Sequence, residues 1–289
     1  MRVRLLGPLH VSHAGIAITP VARRPQQILA LLLLNHAQVV PLSTLIDELW
    51  DGHTPKTARA AVQTYVFELR KKFARATGRS TDAVGEQILR TTRNGYVFVA
   101  DLSQFDLRAF RWLEQTGAVA MADGDLATAA HNFRAALALW QGPALADVDP
   151  GPSIRAELAG LQQSRAMMLG HRIELELRAG RHREILGELA DLASHDRFNE
   201  ELQAQFIIAL YRSGERTRAL EAFHGLRREM VGKFGLEPSP KLQQCYQAVL
   251  NSEPLPDRMP VLPLPGEPSV PPPQRELSWG PWSTWSTSA

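Results

Sequence analysis

Apolar and polar residues alternate at the start of the chain. Val3 and Leu5 fall on one side, Arg2 and Arg4 on the other, and Leu9 and Val11 continue the pattern. "SHAG" (residues 12–15) reads as a turn, and Ile16 and Ile18 resume the alternation, so short antiparallel strands are expected here. The period then changes. "RPQQILALLLLNHA" is apolar on nearly every side, with Pro25 in its first turn, which predicts a buried helix. A short helix follows from about Ser43 to Trp50, with Ser43 as N-cap and Asp51-Gly52 as its stop. A third helix is expected from "TPKTARAAVQ" to about Ala76, with Thr54 as N-cap and Pro55 in its first turn. Gln87–Ala100 reads as a hairpin that turns near Arg93-Asn94-Gly95. Strands, three helices and a hairpin make a winged helix with an additional N-terminal sheet. The third helix is then the one that would enter a DNA groove.

Beyond Asp101 the pattern is helical throughout. Three segments align on Gly124, Gly180 and Gly214. Five residues after each glycine stands Ala129, Ile185 or Ala219, and nine after it Phe133, Leu189 or Phe223. The second and third glycines are 34 residues apart, the period of a tetratricopeptide repeat; the first gap is 56, with "WQGPALADVDPGP" as the inserted loop. Stacking buries apolar faces that one helix pair cannot bury alone. A last helix, "SPKLQQCYQAVL", starts with Ser239 as N-cap and Pro240 at its first position. The expected fold class is mainly α with a little β: a winged helix-turn-helix over 1–100, then an all-α tetratricopeptide-like domain over 101–251. Residues 252–289 hold 10 of the 20 prolines and are expected to be disordered. In that tail Trp279, Trp282 and Trp285 recur at the three-residue period of polyproline II, as a recognition stripe or as an extension without a partner.

Charge sharpens this picture. The net charge of +2 is the sum of unequal parts: residues 1–100 carry 13 Lys and Arg against 6 Asp and Glu, the remainder 19 against 24. A basic first domain suggests an anionic partner. Val62, Val66, Leu69 and Phe73 form one apolar stripe on the third helix, which turns Ala60, Thr64, Phe67 and Lys71 outward and leaves Arg59, Gln63 and Arg70 on the flank. Gln63 can offer a bidentate amide to adenine, and Thr64 a hydroxyl or a methyl. Lys56, Arg59, Arg70 and Lys71 suit phosphates, and Arg90 and Arg93 on the wing suit a minor groove or the backbone. The competing readings are an ordinary amphipathic helix with a solvated basic side and a hairpin that merely closes the domain. Tyr96 is assigned to the core rather than to phosphate. Asp47, Glu48 and Asp51 oppose close phosphate contact and would face either a protein such as RNA polymerase or solvent.

Catalytic chemistry is poorly supported. The nine histidines are scattered, and one cysteine, Cys245, allows neither an internal disulfide nor a Cys-x-x-Cys metal site. In "VGKF", Phe234 stands where a phosphate loop needs Ser or Thr, and Arg227 where it needs glycine. No cofactor or metal is expected. "ILALLLL" is far short of the roughly 20 residues of a membrane span, so a cytoplasmic protein with no membrane partner is expected.

These segments resemble the Streptomyces antibiotic regulatory protein family of transcriptional activators. "MRVRLLGPLHV" is similar to its opening strand, and "PQQILALLLLNHAQVVPLSTLIDELWDGHTPKTARAAVQTYVFELRKKF" to its OmpR-type DNA-binding helices. "LWQGPALADV" and "FGLEPSPKLQQCYQAVL" resemble stretches of its bacterial transcriptional activation domain, so the likeness spans residues 1–251. The resemblance implies binding of double-stranded DNA at direct repeats in promoters, often as a homodimer, and recruitment of RNA polymerase holoenzyme through its sigma factor. It also implies targets in secondary-metabolite clusters. Gln63 and Thr64 would read bases, and Arg59, Tyr65 and Arg70 would hold phosphates. Phe67 would cover a thymine methyl or pack on the wing. Larger relatives carry a P-loop ATPase module that is not seen in this chain, so no need for ATP is expected. The competing class is a tetratricopeptide-like interaction scaffold without specific DNA binding.

Overall fold

The computed structural model describes residues 1–253. The expectations for the proline- and tryptophan-containing tail lie outside them from residue 254 onward. Strands β1 (Arg2–Arg4), β2 (His10–His13) and β3 (Ile16–Ala17) pair antiparallel in sequence, with Val3 opposite Val11. Val3, Leu5, Leu9, Val11 and Ile18 are buried, whereas Ile16 lies exposed on the edge strand, which ends the predicted alternation there. Helix α1 (Arg23–Leu34) buries every residue from Ile28 to Leu34. Next come β4 (Val39–Pro41), α2 (Leu42–Trp50) and α3 (Ala58–Thr77). Asp51 closes α2 in the left-handed conformation (φ 43°), as its Asp-Gly stop predicts.

Helix α3 begins later than its Thr54-Pro55 signal suggests. The Ala58 amide donates to Pro55 O at 3.0 Å, so Pro55 leads a four-residue turn and Lys56 belongs to the loop before the helix. A further short helix, α4 (Thr81–Gln87), had no visible period because it is two turns long; Ser80 Oγ accepts from the Ala83 amide at its start. Strands β5 (Leu89–Thr91) and β6 (Gly95–Phe98) form the wing, and β4 joins them in the order β4-β6-β5.

Strand β7 (Gln104–Phe105) then returns to pair parallel with β1, completing a first sheet of order β3-β2-β1-β7. Six helical elements follow in three hairpins: α5 (Asp106–Ala122) with α6 (Leu126–Ala138), α7 (Pro152–Arg178) with α8 (His182–His195), and α9 (Glu200–Arg212) with α10 (Arg216–Phe234). Gly124, Gly180 and Gly214 sit at the three hairpin links with φ of 82°, 76° and 88°, a conformation that only glycine adopts without strain. The aligned positions Ala129, Ile185, Ala219, Phe133, Leu189 and Phe223 are all buried. Helix α11 (Pro240–Asn251) closes the stack, with Ser239 as its N-cap.

The core does not divide at residue 100. One apolar cluster runs from Val3 through α1, α3 and the wing into α5, α6 and along α7 as far as Leu175. A second joins the end of α7 to α8–α11. The loop predicted as an insertion (140–152) straps across the winged helix. The Gln141 and Leu145 amides donate to Leu6 O (2.7 Å) and Leu5 O (3.0 Å), Asp147 accepts from the Leu9 amide (2.6 Å), and Gln27 Nε2 donates to Asp149 O (2.6 Å).

Candidate nucleic-acid interface

Helix α3 is anchored on one side and open on the other. Val62, Val66, Leu69 and Phe73 are buried to within 1% of complete, and Phe73 packs against Phe98 of the wing with ring centroids 5.4 Å apart. Burying these four side chains contributes about 1.5–3 kcal/mol each, which holds the helix rigidly in place. Gln63 and Thr64 are exposed on the other side, together with Arg59, Ala60 and Lys71. Thr64 Oγ1 donates to Ala60 O at 3.0 Å. Its hydroxyl proton is therefore spent within the helix, and what it presents outward is a methyl and oxygen lone pairs. Phe67 does not follow the apolar stripe: it stands 48% exposed with Lys71 Nζ 4.6 Å over its ring. Such a pair offers an apolar plate beside a cation. The Tyr65 ring is half-buried against the core.

Lys56, Arg90 and Arg93 are exposed, Lys56 in the loop before α3 and the two arginines on the wing. Tyr96 is in the core as expected. Burial pushes its phenol up, while the charges of Arg70 and Arg59 pull it down.

Arg70 does more than stand as a cation on the flank of α3. It is half-buried, its Nε and Nη2 donate to Leu89 O (3.0 and 2.7 Å), and Nη2 also reaches Thr91 Oγ1 (2.7 Å). Its guanidinium lies over Gly85 of α4, where a Cβ would come within 3.4 Å of it. Burial lowers its pKa, opposed by Tyr96 and Asp82. Arg70 is thus a strut between α3 and the first wing strand. Replacing it with alanine is expected to cost about 1–3 kcal/mol of stability, the worth of charged hydrogen bonds. A urea melt checks this, and a loss no larger than that of an exposed Lys72→Ala control would contradict the strut.

One acidic residue of α2, Glu48, also turns out differently. Glu48 is 2% exposed, and its carboxylate accepts from the amides of Gly151 (2.5 Å), Ser153 (2.8 Å) and Ile154 (3.1 Å) at the start of α7. Asp51 pairs with Arg155 at 2.9 Å, and Arg23 pairs with Asp149. Glu48 therefore faces neither solvent nor an external protein, whereas Asp47 and Asp51 stay exposed; Glu48 and the Asp51–Arg155 pair tie the helix-turn-helix to the helical domain. A signal was present in the sequence: Gly151-Pro152 opens a helix without a capping side chain, so its amides need an acceptor from elsewhere.

Among the described residues no group of three or more His, Cys, Asp and Glu side chains could hold a metal ion. No helix among them is long and apolar enough to cross a membrane.

A winged helix with an exposed polar face on its third helix, fused to stacked helical hairpins, defines a DNA-binding transcriptional regulator. Residues 19–98 match the family described as transcriptional regulatory protein, C terminal, and residues 105–250 match the bacterial transcriptional activator domain. The chain is 42% identical to the regulatory protein DnrI of Streptomyces peucetius over 258 residues, 89% of this chain and 95% of that one. It is 32% identical to the regulatory protein AfsR of Streptomyces coelicolor over 88% of its own length, which spans 24% of that larger protein. A solved structure of Mycobacterium tuberculosis EmbR, in complex with a low affinity phosphopeptide, superimposes with a TM-score of 0.78 at 27% identity, over 89% of this chain and 66% of that one. The chain belongs to the Streptomyces antibiotic regulatory protein family of transcriptional activators.

Proposed function

We infer that the chain activates genes of a secondary-metabolite cluster by seating α3 in the major groove at direct repeats of a promoter. Two protomers bind side by side, and RNA polymerase is recruited through its sigma factor, in the cytoplasm and without catalysis by the chain itself. The observation that carries this reading is the exposure of Gln63 and Thr64 on a helix whose opposite face is fully buried. Gln63 reads a base by its amide, Thr64 through its methyl and lone pairs, and Phe67 covers a thymine methyl. Lys56, Arg59, Tyr65, Arg70, Lys71, Arg90 and Arg93 hold phosphates or line the groove, with Arg70 also bracing the wing through Leu89 O. Residues 1–100 are the DNA-binding unit, although their core continues into the helical domain.

The test is a mobility-shift series on promoter DNA. Gln63→Ala is expected to weaken binding by about 1–3 kcal/mol and to relax the preference at one base pair. Equal loss on every sequence would remove Gln63 from base reading. Log K should fall with log salt at a slope of about 0.9 per phosphate neutralised, and Arg93→Ala should flatten that slope by about one such unit. A footprint showing no protected repeats would return the chain to the scaffold reading.

A further inference from the structure

A second cleft lies away from α3. It opens between β1 and β7 of the first sheet and the first half of α5, with a volume of about 630 Å³, within the roughly 300–1,000 Å³ of small-molecule sites. Val3, Phe105 and Leu139 provide apolar lining, and Trp112 stands at it 61% exposed, the most exposed aromatic among the large apolar side chains described. Arg2, Arg4 and Arg108 surround the same space.

None of these three arginines forms an ion pair among the described residues. Each is positioned by one neutral acceptor: Arg2 by Gln104 Oε1, Arg4 by Gln141 Oε1 at 2.9 Å and Arg108 by Leu102 O at 2.8 Å. A guanidinium has five donors, so most of them remain for something else. Arg4 Nε has no partner and is closed off from solvent, so a ligand in the cleft would meet Arg4 through its terminal nitrogens. The one carboxylate lining the cleft, Asp106, accepts from the backbone amides of Leu5, Leu6 and Leu107 at 2.7–2.9 Å and offsets part of the charge of Arg4, leaving Arg2 and Arg108 without a carboxylate of their own there. His10, opposite Arg4 in the β1–β2 register, adds no compensating negative charge.

We propose that this cleft binds a small planar aromatic anion, its ring against Trp112 and its carboxylate or phosphate held by Arg2, Arg4 and Arg108. Aromatic stacking needs a flat π-face and guanidinium forks need a multidentate oxyanion, so neither a neutral ring nor a bare anion satisfies the site. The ligand would touch β1 of the winged helix and α5 of the helical domain at once, and so stabilise their junction.

Calorimetric titration of the purified full chain with 1-naphthyl phosphate tests the site. The expected result is one probe per chain with a sub-millimolar Kd, a raised melting temperature, and affinities weaker by at least about tenfold for 1-naphthol and for inorganic phosphate. Trp112→Ala and the double variant Arg2→Ala/Arg108→Ala should each lose about the same factor. Trp112 is exposed, so its variant should keep the parent's melting temperature without probe, which separates lost binding from lost folding. No binding at millimolar probe, equal affinity for 1-naphthol, or undiminished binding by both variants would each overturn the proposal.

Discussion

Replacing Glu48 with alanine is expected to lower the unfolding free energy by about 2–4 kcal/mol. The reason is the start of α7. Gly151 carries no side chain that could cap the helix, and Pro152 follows it at the first position. The free amides of Gly151, Ser153 and Ile154 therefore all point at one carboxylate, which arrives from α2 about a hundred residues earlier. Its negative charge also meets the positive end of the α7 dipole. Alanine leaves three donors without an acceptor, two of them buried, and the penalty for orphaned buried donors exceeds the net worth of the bonds lost. Glu48→Gln keeps an acceptor but presents an NH2 group to the same amides, so it should fall between the parent and Glu48→Ala. Gly151→Ala should be comparably harmful by a different route, since its Cβ would come within 2.1 Å of Glu48 O. Equilibrium urea denaturation measures all three. A loss under about 0.5 kcal/mol for Glu48→Ala, the level of an ordinary surface substitution, would show that the junction is held by other contacts.

Gly95→Ala is expected to destabilise by on the order of 3 kcal/mol and to weaken DNA binding on all sequences alike. The Asn-Gly pair reads in sequence as a turn, where glycine is wanted for positive φ. In the structure Gly95 instead begins β6 opposite Pro41, and it is needed for close approach. A Cβ there would lie 2.0 Å from Val40 O and 2.9 Å from Pro41 Cα. Both are backbone atoms, so no rotamer change relieves the clash; β4 and β6 must separate. That disturbs the bond from the Leu42 amide to Asn94 O (2.9 Å), and the Thr92 amide to Gly95 O (2.9 Å) that closes the wing. The wing carries Arg90 and Arg93 and receives Arg70, so its displacement removes positioning and charge without touching base readout. Thermal unfolding and mobility shifts check both halves, with exposed Asn94→Ala as the comparison. An unchanged melting temperature for Gly95→Ala would mean that the sheet accommodates the methyl.

Features with a period were legible. The burial of α1, the stripe of Val62, Val66, Leu69 and Phe73, and the three aligned hairpin glycines all follow from local spacing, and each is found where that spacing puts it. Elements too short to show a period were not: α4 has seven residues and β7 has two. The start of α3 was misplaced because Pro55 suits a tight turn as well as a first helical turn.

By itself, then, the chain determined its element types, its repeat of helical hairpins and the outward side of the recognition helix, because amphipathic spacing is written within a dozen residues. Only the tertiary structure decided what the charged residues do. Glu48 could be an open acidic face until α7 was seen to start on it, and Arg70 could be a freely solvated cation until Leu89 O was seen to hold it. Such roles depend on which distant backbone groups lack partners, and those groups are identical at every residue, so no pattern of side chains announces them.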